Sequence, residues 1–155
     1  MNSSNALHSQ MKKDIISQSY PGIICLCEPY HHFELPGYVT LSGKSLPEKT
    51  KVYTQISWRD NLPVETVFID VDLIIVRLNI PSDAEFLYVF CVYLSHDEKR
   101  RLKCLQFILE FVTKLKSDPN VLPLFVLVGD FNKNLHFIEP KSKDETEKRL
   151  RKLIV

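Results

Sequence analysis

The chain has 155 residues, 45% hydrophobic and 25% charged, which suits one folded domain and excludes the polar, aromatic-poor profile of a disordered chain. Twenty basic residues against 19 acidic ones give a formal net charge of +1, which excludes the overall basic footprint of a dedicated nucleic-acid binder, so any such contact has to be local. There is no run of about 18 apolar residues, and Met1 to Lys13 lacks the charged-then-apolar order of a secretory signal; no membrane span or export is indicated, and an intracellular address, nuclear or cytoplasmic, is expected.

Leu7, Met11 and Ile15 recur every four residues and predict a first helix, ended by the breaker Tyr20-Pro21-Gly22. Gly22 to Cys27 is short and almost wholly apolar, which predicts a strand buried on both faces and stopped by Glu28-Pro29. Tyr30 to Lys51 is rich in His, Pro and Gly, with a short extended piece at Tyr38 to Leu41. It reads as a long surface loop in which His31 and His32 face solvent. Val52 to Trp58, Val67 to Asp70, Leu73 to Ile80 and Phe86 to Leu94 are rich in β-branched and aromatic residues. Turns at Pro63 and Pro81-Ser82-Asp83 make them antiparallel neighbours.

Between His96 and Lys116, Leu102, Leu105, Ile108, Leu109, Val112 and Leu115 form the stripe of an amphipathic helix, ended by Asp118-Pro119-Asn120. Lys99, Arg100, Arg101 and Lys103 at its start read as a solvated face. Leu122 to Val128 predicts a second buried strand, running into Gly129-Asp130-Phe131-Asn132. Lys141 to Lys152 alternates in sign and carries Leu150, Leu153 and Ile154 at helix spacing, which predicts an exposed helix with mutual charge pairs. Cys25, Cys27, Cys91 and Cys104 lie in apolar runs without Cys-x-x-Cys spacing and are expected as reduced, buried thiols. With no repeat and no linker, residues 1–155 read as a single domain.

Two carboxylates stand at equivalent places, Glu28 directly after one apolar strand and Asp130 one glycine after another. Strand ends in layered α/β folds present side chains over a rigid platform, and a hard cation needs only one or two carboxylates besides water and phosphate oxygens. Glu28 suits a metal ligand. Gly129 allows a sharp turn or a close approach, Asp130 can accept a proton or orient water, and Asn132 can donate to a phosphate oxygen. On these residues alone the segment is equally an ordinary strand-ending turn whose Asp and Asn bond their own backbone, the commoner use of that pattern.

The order and spacing of four segments widen the pattern: Asn5-Ala6-Leu7, Gly22 to Pro29 (GIICLCEP), Val92-Tyr93-Leu94-Ser95, and Val126 to Asn132 (VLVGDFN). Together they resemble the endonuclease/exonuclease/phosphatase (DNase I-like) family, particularly the apurinic-type endonuclease domains of LINE-type retrotransposons. The resemblance implies an α/β (α+β) four-layer sandwich, with two mainly antiparallel sheets flanked by helices. It implies phosphodiester hydrolysis dependent on Mg²⁺ or Mn²⁺, with DNA as partner and substrate. By residue-by-residue match, Glu28 binds the metal with help from Asn5, Asp130 and Asn132 act on the nucleophilic water and the scissile phosphate, and Tyr93 lies near that phosphate.

Departures from the pattern are local at one end and large at the other. Leu94-Ser95 stands where the family usually has proline, and Ala6 replaces a glycine, while Ser3, Ser4 or Asn5 also suits a helix N-cap. Nothing matches the Ser-Asp-His motif of the family's second half, and His136 follows Asn132 too closely to supply it. The sandwich is therefore expected to be incomplete, a partial domain cut at both ends. The readings left open are a DNA-nicking endonuclease, a catalytically inactive fragment of one, and a phosphatase or deadenylase relative on the same scaffold.

Overall fold

The computed structural model describes residues 14, 18–30, 32, 34–43, 51–80, 85–119, 123–132 and 143–154. Asn5, His31, His136 and the expected helix around Leu7, Met11 and Ile15 lie outside them.

Seven strands form two sheets among the described residues. The first has the order β1 (Ile23–Tyr30), β3 (Val52–Arg59), β2 (Tyr38–Ser42), all antiparallel. The second has the order β4 (Val64–Ile69), β5 (Leu73–Ile80), β6 (Glu85–Tyr93), β7 (Pro123–Asp130). Its first three strands are antiparallel neighbours, as the turn residues predict, but β7 lies parallel to β6. A parallel return needs a crossover, and helix α1 (Glu98–Lys116) supplies it. Helix α2 (Glu145–Ile154) packs on α1, where Arg149 donates to the Leu102 carbonyl at 2.7 Å.

Side-chain alternation divides the core into two layers. On β5 and β6, Leu73, Ile75, Tyr88, Phe90 and Val92 face the helices and pack with Leu105, Ile108 and Leu150. The intervening Ile74, Val76, Val89 and Cys91 face the first sheet and pack with Ile56 and Trp58. Burial on both faces is why these strands read as unbroken apolar runs. α1 starts where the Asp97 carboxylate accepts the Arg100 backbone N–H at 2.8 Å, with Glu98 in its first turn and Lys114 and Lys116 in its last, as the helix dipole favours.

Four expectations need correction. The strand expected over 22–27 does not stop at Glu28-Pro29 but runs to Tyr30, and from Ile23 to Pro29, Ile24 alone is buried, the rest being half-buried. The extended piece in the expected surface loop is a full strand, β2, and Tyr38 bonds the Pro21 carbonyl from it. The strand expected to be buried over 122–128 has one open face: Phe125 and Leu127 join the helix-side core, while Leu124, Val126 and Val128 are 40–47% exposed. β7 ends its sheet, and these three positions share the face turned away from the helices. Finally, Lys99, Arg100 and Lys103 are exposed as the solvated-face reading expects, but Arg101 is half-buried and both arginines are tied back onto the fold. Arg100 pairs with Asp72, and Arg101 donates to the Ser95 and His96 carbonyls and to the Thr146 hydroxyl.

Three expectations stand. α2 carries the expected charge pairs, Glu145 with Lys148 and Arg149, on the side away from buried Leu150. All four cysteines are free thiols, although Cys25 and Cys27 are only half-buried. His32 is exposed, bonded to the Ser42 hydroxyl at 2.6 Å.

Candidate functional site

The site forms where β1, β6 and β7 end together. Between the register pairs Cys27↔Thr54 and Tyr30↔Val52, β1 has one residue more than β3, which is a β-bulge. Glu28 occupies it with φ 49°, in the left-handed region a branched or long side chain seldom adopts. Bulges re-aim side chains, and strained non-glycine residues gather at functional sites. Here the bulge carries the Glu28 carboxylate to Lys51, whose ammonium donates to Oε1 at 2.7 Å. The Lys51 hydrogen bond holds the Glu28 carboxyl below its usual range against the pull of burial, and the Tyr93 hydroxyl and the charges of Lys51 and His96 act in the same direction as Lys51.

Tyr93 and Asp130 are register partners in the parallel β6–β7 pair, which sets their side chains next to each other. Tyr93 is buried, with its hydroxyl in hydrogen-bonding reach of Glu28 and Asn132 and its ring stacked on Tyr53 at 4.9 Å. Burial first, then the Glu28 carboxylate, push its phenol up to about 12, so it stays protonated and donates.

Gly129 is required by the closeness of the strands, because a Cβ there would lie 1.8 Å from the Val92 carbonyl oxygen. Past it, the Asp130 carbonyl accepts the Leu94 N–H at 2.8 Å, and the Asp130 N–H donates to the Cys27 thiol at 3.3 Å. Cys27 in turn donates to the Val92 carbonyl at 3.2 Å, so one thiol ties together the ends of all three strands.

Both readings of the Asp-x-Asn pattern are realised. Asp130 Oδ1 accepts the Asn132 N–H at 2.8 Å, closing the turn that ordinary strand-end chemistry predicts. Asn132 has φ 47°, and its side-chain amide donates to the Leu94 carbonyl at 2.6 Å. The turn therefore presents a rigid pair: the second oxygen of Asp130 lies outside the turn bond, and the Asn132 amide, besides its bond to Leu94, faces the Tyr93 hydroxyl.

Of the residues singled out from sequence, Glu28, Tyr93, Asp130 and Asn132 thus come together. Lys51, Tyr53 and Cys27 were missed as site residues. The signal that finds them is strand register, since antiparallel β1–β3 pairing sets the start of β3 against the end of β1. As for a metal, no three His, Cys, Asp or Glu side chains among the described residues form a cation cage. Glu28 is a partly exposed carboxylate that already accepts a cation, and Mg²⁺ is held through one or two carboxylates with water and phosphate oxygens completing its shell. The donor set fits a hydrated hard cation.

The endonuclease domain of TRAS1, a telomere-specific non-LTR retrotransposon, superposes with a TM-score of 0.64 and 16% identity, over 91% of this chain and 62% of that one. The AP endonuclease LMAP from Leishmania major gives 0.68 and 10%, over 94% and 60%. The human Nocturnin catalytic domain with bound sulfate anion gives 0.57 and 14%, over 96% and 62%. No family model and no curated protein matches the sequence. The two-sheet α+β fold is DNase I-like, as the motifs imply, and the chain spans 60–62% of the length of these structures. No helix among the described residues is long and apolar enough to cross a membrane.

Proposed function

We propose that this DNase I-like chain hydrolyses phosphodiester bonds in DNA with the help of Mg²⁺ or Mn²⁺, as a nicking endonuclease of retrotransposon type. The observation that carries the reading is the convergence of Glu28, Tyr93, Asp130 and Asn132 at the joined ends of β1, β6 and β7. Glu28 would hold the cation, with Asn5 as a further donor on the strength of the sequence match. When bound, the cation supplies positive charge that offsets the charge developing on the phosphate.

The chain's own groups divide the remaining work. The protonated Tyr93 phenol donates to Glu28 and keeps the carboxylate oriented. The second oxygen of Asp130 accepts a proton from the attacking water, while the bond to the Asn132 N–H holds its carboxylate in place. Asn132, anchored on the Leu94 carbonyl through one amide hydrogen, would turn the other from the Tyr93 hydroxyl to a phosphate oxygen. Lys51, which now meets Glu28, would yield that carboxylate to the metal and leave its ammonium at the edge of the site as a second positive charge.

The test is conversion of supercoiled plasmid to the nicked form by the purified protein, with Mg²⁺, with Mn²⁺ and with EDTA. Nicking that disappears in EDTA, in Glu28→Ala and in Asp130→Ala supports the reading, and cleavage that persists in any of these overturns it. A second reading, a catalytically inactive part of such a domain, is favoured by the 60–62% span of the neighbours' length. It predicts no nicking at all by the wild-type protein.

A further inference from the structure

A chain of contacts runs from α1 into the site and uses residues with no direct part in the chemistry above. Asp72 lies in the tight turn before β5, its side chain 13% exposed, and its two carboxylate oxygens accept Arg100 Nε at 3.1 Å and Nη2 at 2.7 Å. This fork-to-fork pair fixes the plane of the guanidinium as well as its charge. Arg100, in the first turn of α1, lies 5.4 Å from the centre of the Tyr53 ring and within reach of its hydroxyl. Tyr53 stacks on Tyr93 with ring centres 4.9 Å apart and planes 29° apart. The Tyr93 hydroxyl meets Glu28 and Asn132.

The chain closes on itself, because the Asp72 backbone carbonyl accepts the Tyr93 N–H at 2.9 Å. Asp72 thus holds Tyr93 twice, at the backbone directly and at the ring through Arg100 and Tyr53. A pair on the open surface would contribute little, but a carboxylate this enclosed loses hydration, and burial raises its pKa despite the arginine. The Tyr53 ring has a second cation near it, Lys51 at 5.6 Å, the same ammonium that meets Glu28. The Glu28 carboxylate that would hold the metal is thus met by Lys51 and the Tyr93 hydroxyl, and the Tyr53 ring backs both.

We infer that Tyr53 and Arg100, anchored by Asp72, are positioning residues that hold the Tyr93 ring and through it the Glu28 carboxylate. The inference rests on the proposed hydrolysis only for its kinetic consequence. Its structural content is that the Tyr93 ring moves when Tyr53 or Arg100 is cut back, and moves less when the conservative residue replaces it.

The experiment uses the full 155-residue protein with ¹³C-labelled tyrosine, the Tyr93 ring signal being assigned by its loss in Tyr93→Phe. In Tyr53→Leu and Arg100→Met the Tyr93 signal shifts, whereas Tyr53→Phe leaves it near its wild-type position and Arg100→Lys, which keeps the charge but not the two-pronged pair, shifts it less than Arg100→Met. In plasmid or oligonucleotide cleavage, the first two variants lose kcat by about 10- to 100-fold with KM changed less than about twofold, because small misplacement of a catalytic group acts on the chemical step. Tyr53→Phe recovers most of that loss and Arg100→Lys part of it.

A rise in KM with kcat unchanged would make these residues DNA contacts and overturn the inference. An unmoved Tyr93 signal in correctly folded Tyr53→Leu and Arg100→Met would overturn it as well. If Tyr53→Leu does not fold, Arg100→Met against Arg100→Lys decides. If the wild-type protein cleaves nothing, the proposed hydrolysis fails by itself, and the ring signals alone decide the positioning.

Discussion

Replacing Gly129 with alanine should be among the more damaging single-methyl additions in this protein. The new Cβ would lie 1.8 Å from the Val92 carbonyl oxygen and 2.7 Å from its carbon, where real Cβ atoms essentially never approach below 3.0 Å. Both obstacles are backbone, so no side chain can swing aside. β6 and β7 must part by more than an ångström at the Val92–Gly129 pair, next to the Leu94–Asp130 hydrogen bond. Forcing a group into a packed position costs about 1–3 kcal/mol, and a φ of 154° adds about 1 kcal/mol for a residue with a Cβ. The expected loss is about 3 kcal/mol, or about 6–12 °C in Tm for a chain of this size. Urea unfolding followed by the fluorescence of the buried Trp58 measures it directly. Gly37→Ala is the control: its φ is 77° but nothing lies within 4 Å, so only the backbone strain of about 1 kcal/mol applies. Equal losses in the two variants would refute the steric argument, and an unchanged midpoint in Gly129→Ala would refute the strand spacing itself.

Stability should depend on pH through Glu28. Its folded pKa lies below the ordinary 4.5, so the stabilisation is present above that value and is lost as pH falls through the lowered one. Between about pH 5 and pH 3, Lys51→Met should therefore lose less stability than wild type in thermal melts, and parallel curves would deny the pair its role. Asp72 works with the opposite sign, its raised pKa making ionisation costly as pH climbs, and Asp72→Asn should remove that slope. Leu105→Ala, fully buried between α1 and the second sheet, should cost about 2–5 kcal/mol by urea titration. Val126→Lys on the open face of β7 should change stability by less than about 0.5 kcal/mol while reducing concentration-dependent association in sedimentation.

What could be read from the sequence follows from how local each cause is. β5 and β6 were legible because burial on both faces writes itself into continuous apolar runs, and α1 because its stripe keeps helical spacing. β7 has the same apolar composition whether or not something covers it, so its exposed row could not be told from a buried one. Glu28-Pro29 reads locally as a strand stop. That the strand continues through a bulge depends on its pairing with β3, which no local pattern encodes. The same holds for Lys51, Tyr53 and Arg100, each brought to the site by an element distant in the chain. Asp130 and Asn132 were legible as a pair but ambiguous in use, and the structure shows why: their turn bond and their placement at the site are the same arrangement.

The Cys27 thiol that joins three strand ends also says something about the order of assembly. Its contact with the Asp130 N–H links residues 103 apart, and closing a flexible loop of that length costs about 4 kcal/mol in chain entropy before any contact is made. The helix-side core, by contrast, draws most of its buried residues from the stretch between Leu73 and Ile108. A chain collapsing on its nearest neighbours can acquire that hydrophobic layer early, while the half containing β1 is still searching. The strand ends that carry Glu28 and Asp130 meet only after that search ends, so amide protection in the core should precede protection at Asp130 during refolding.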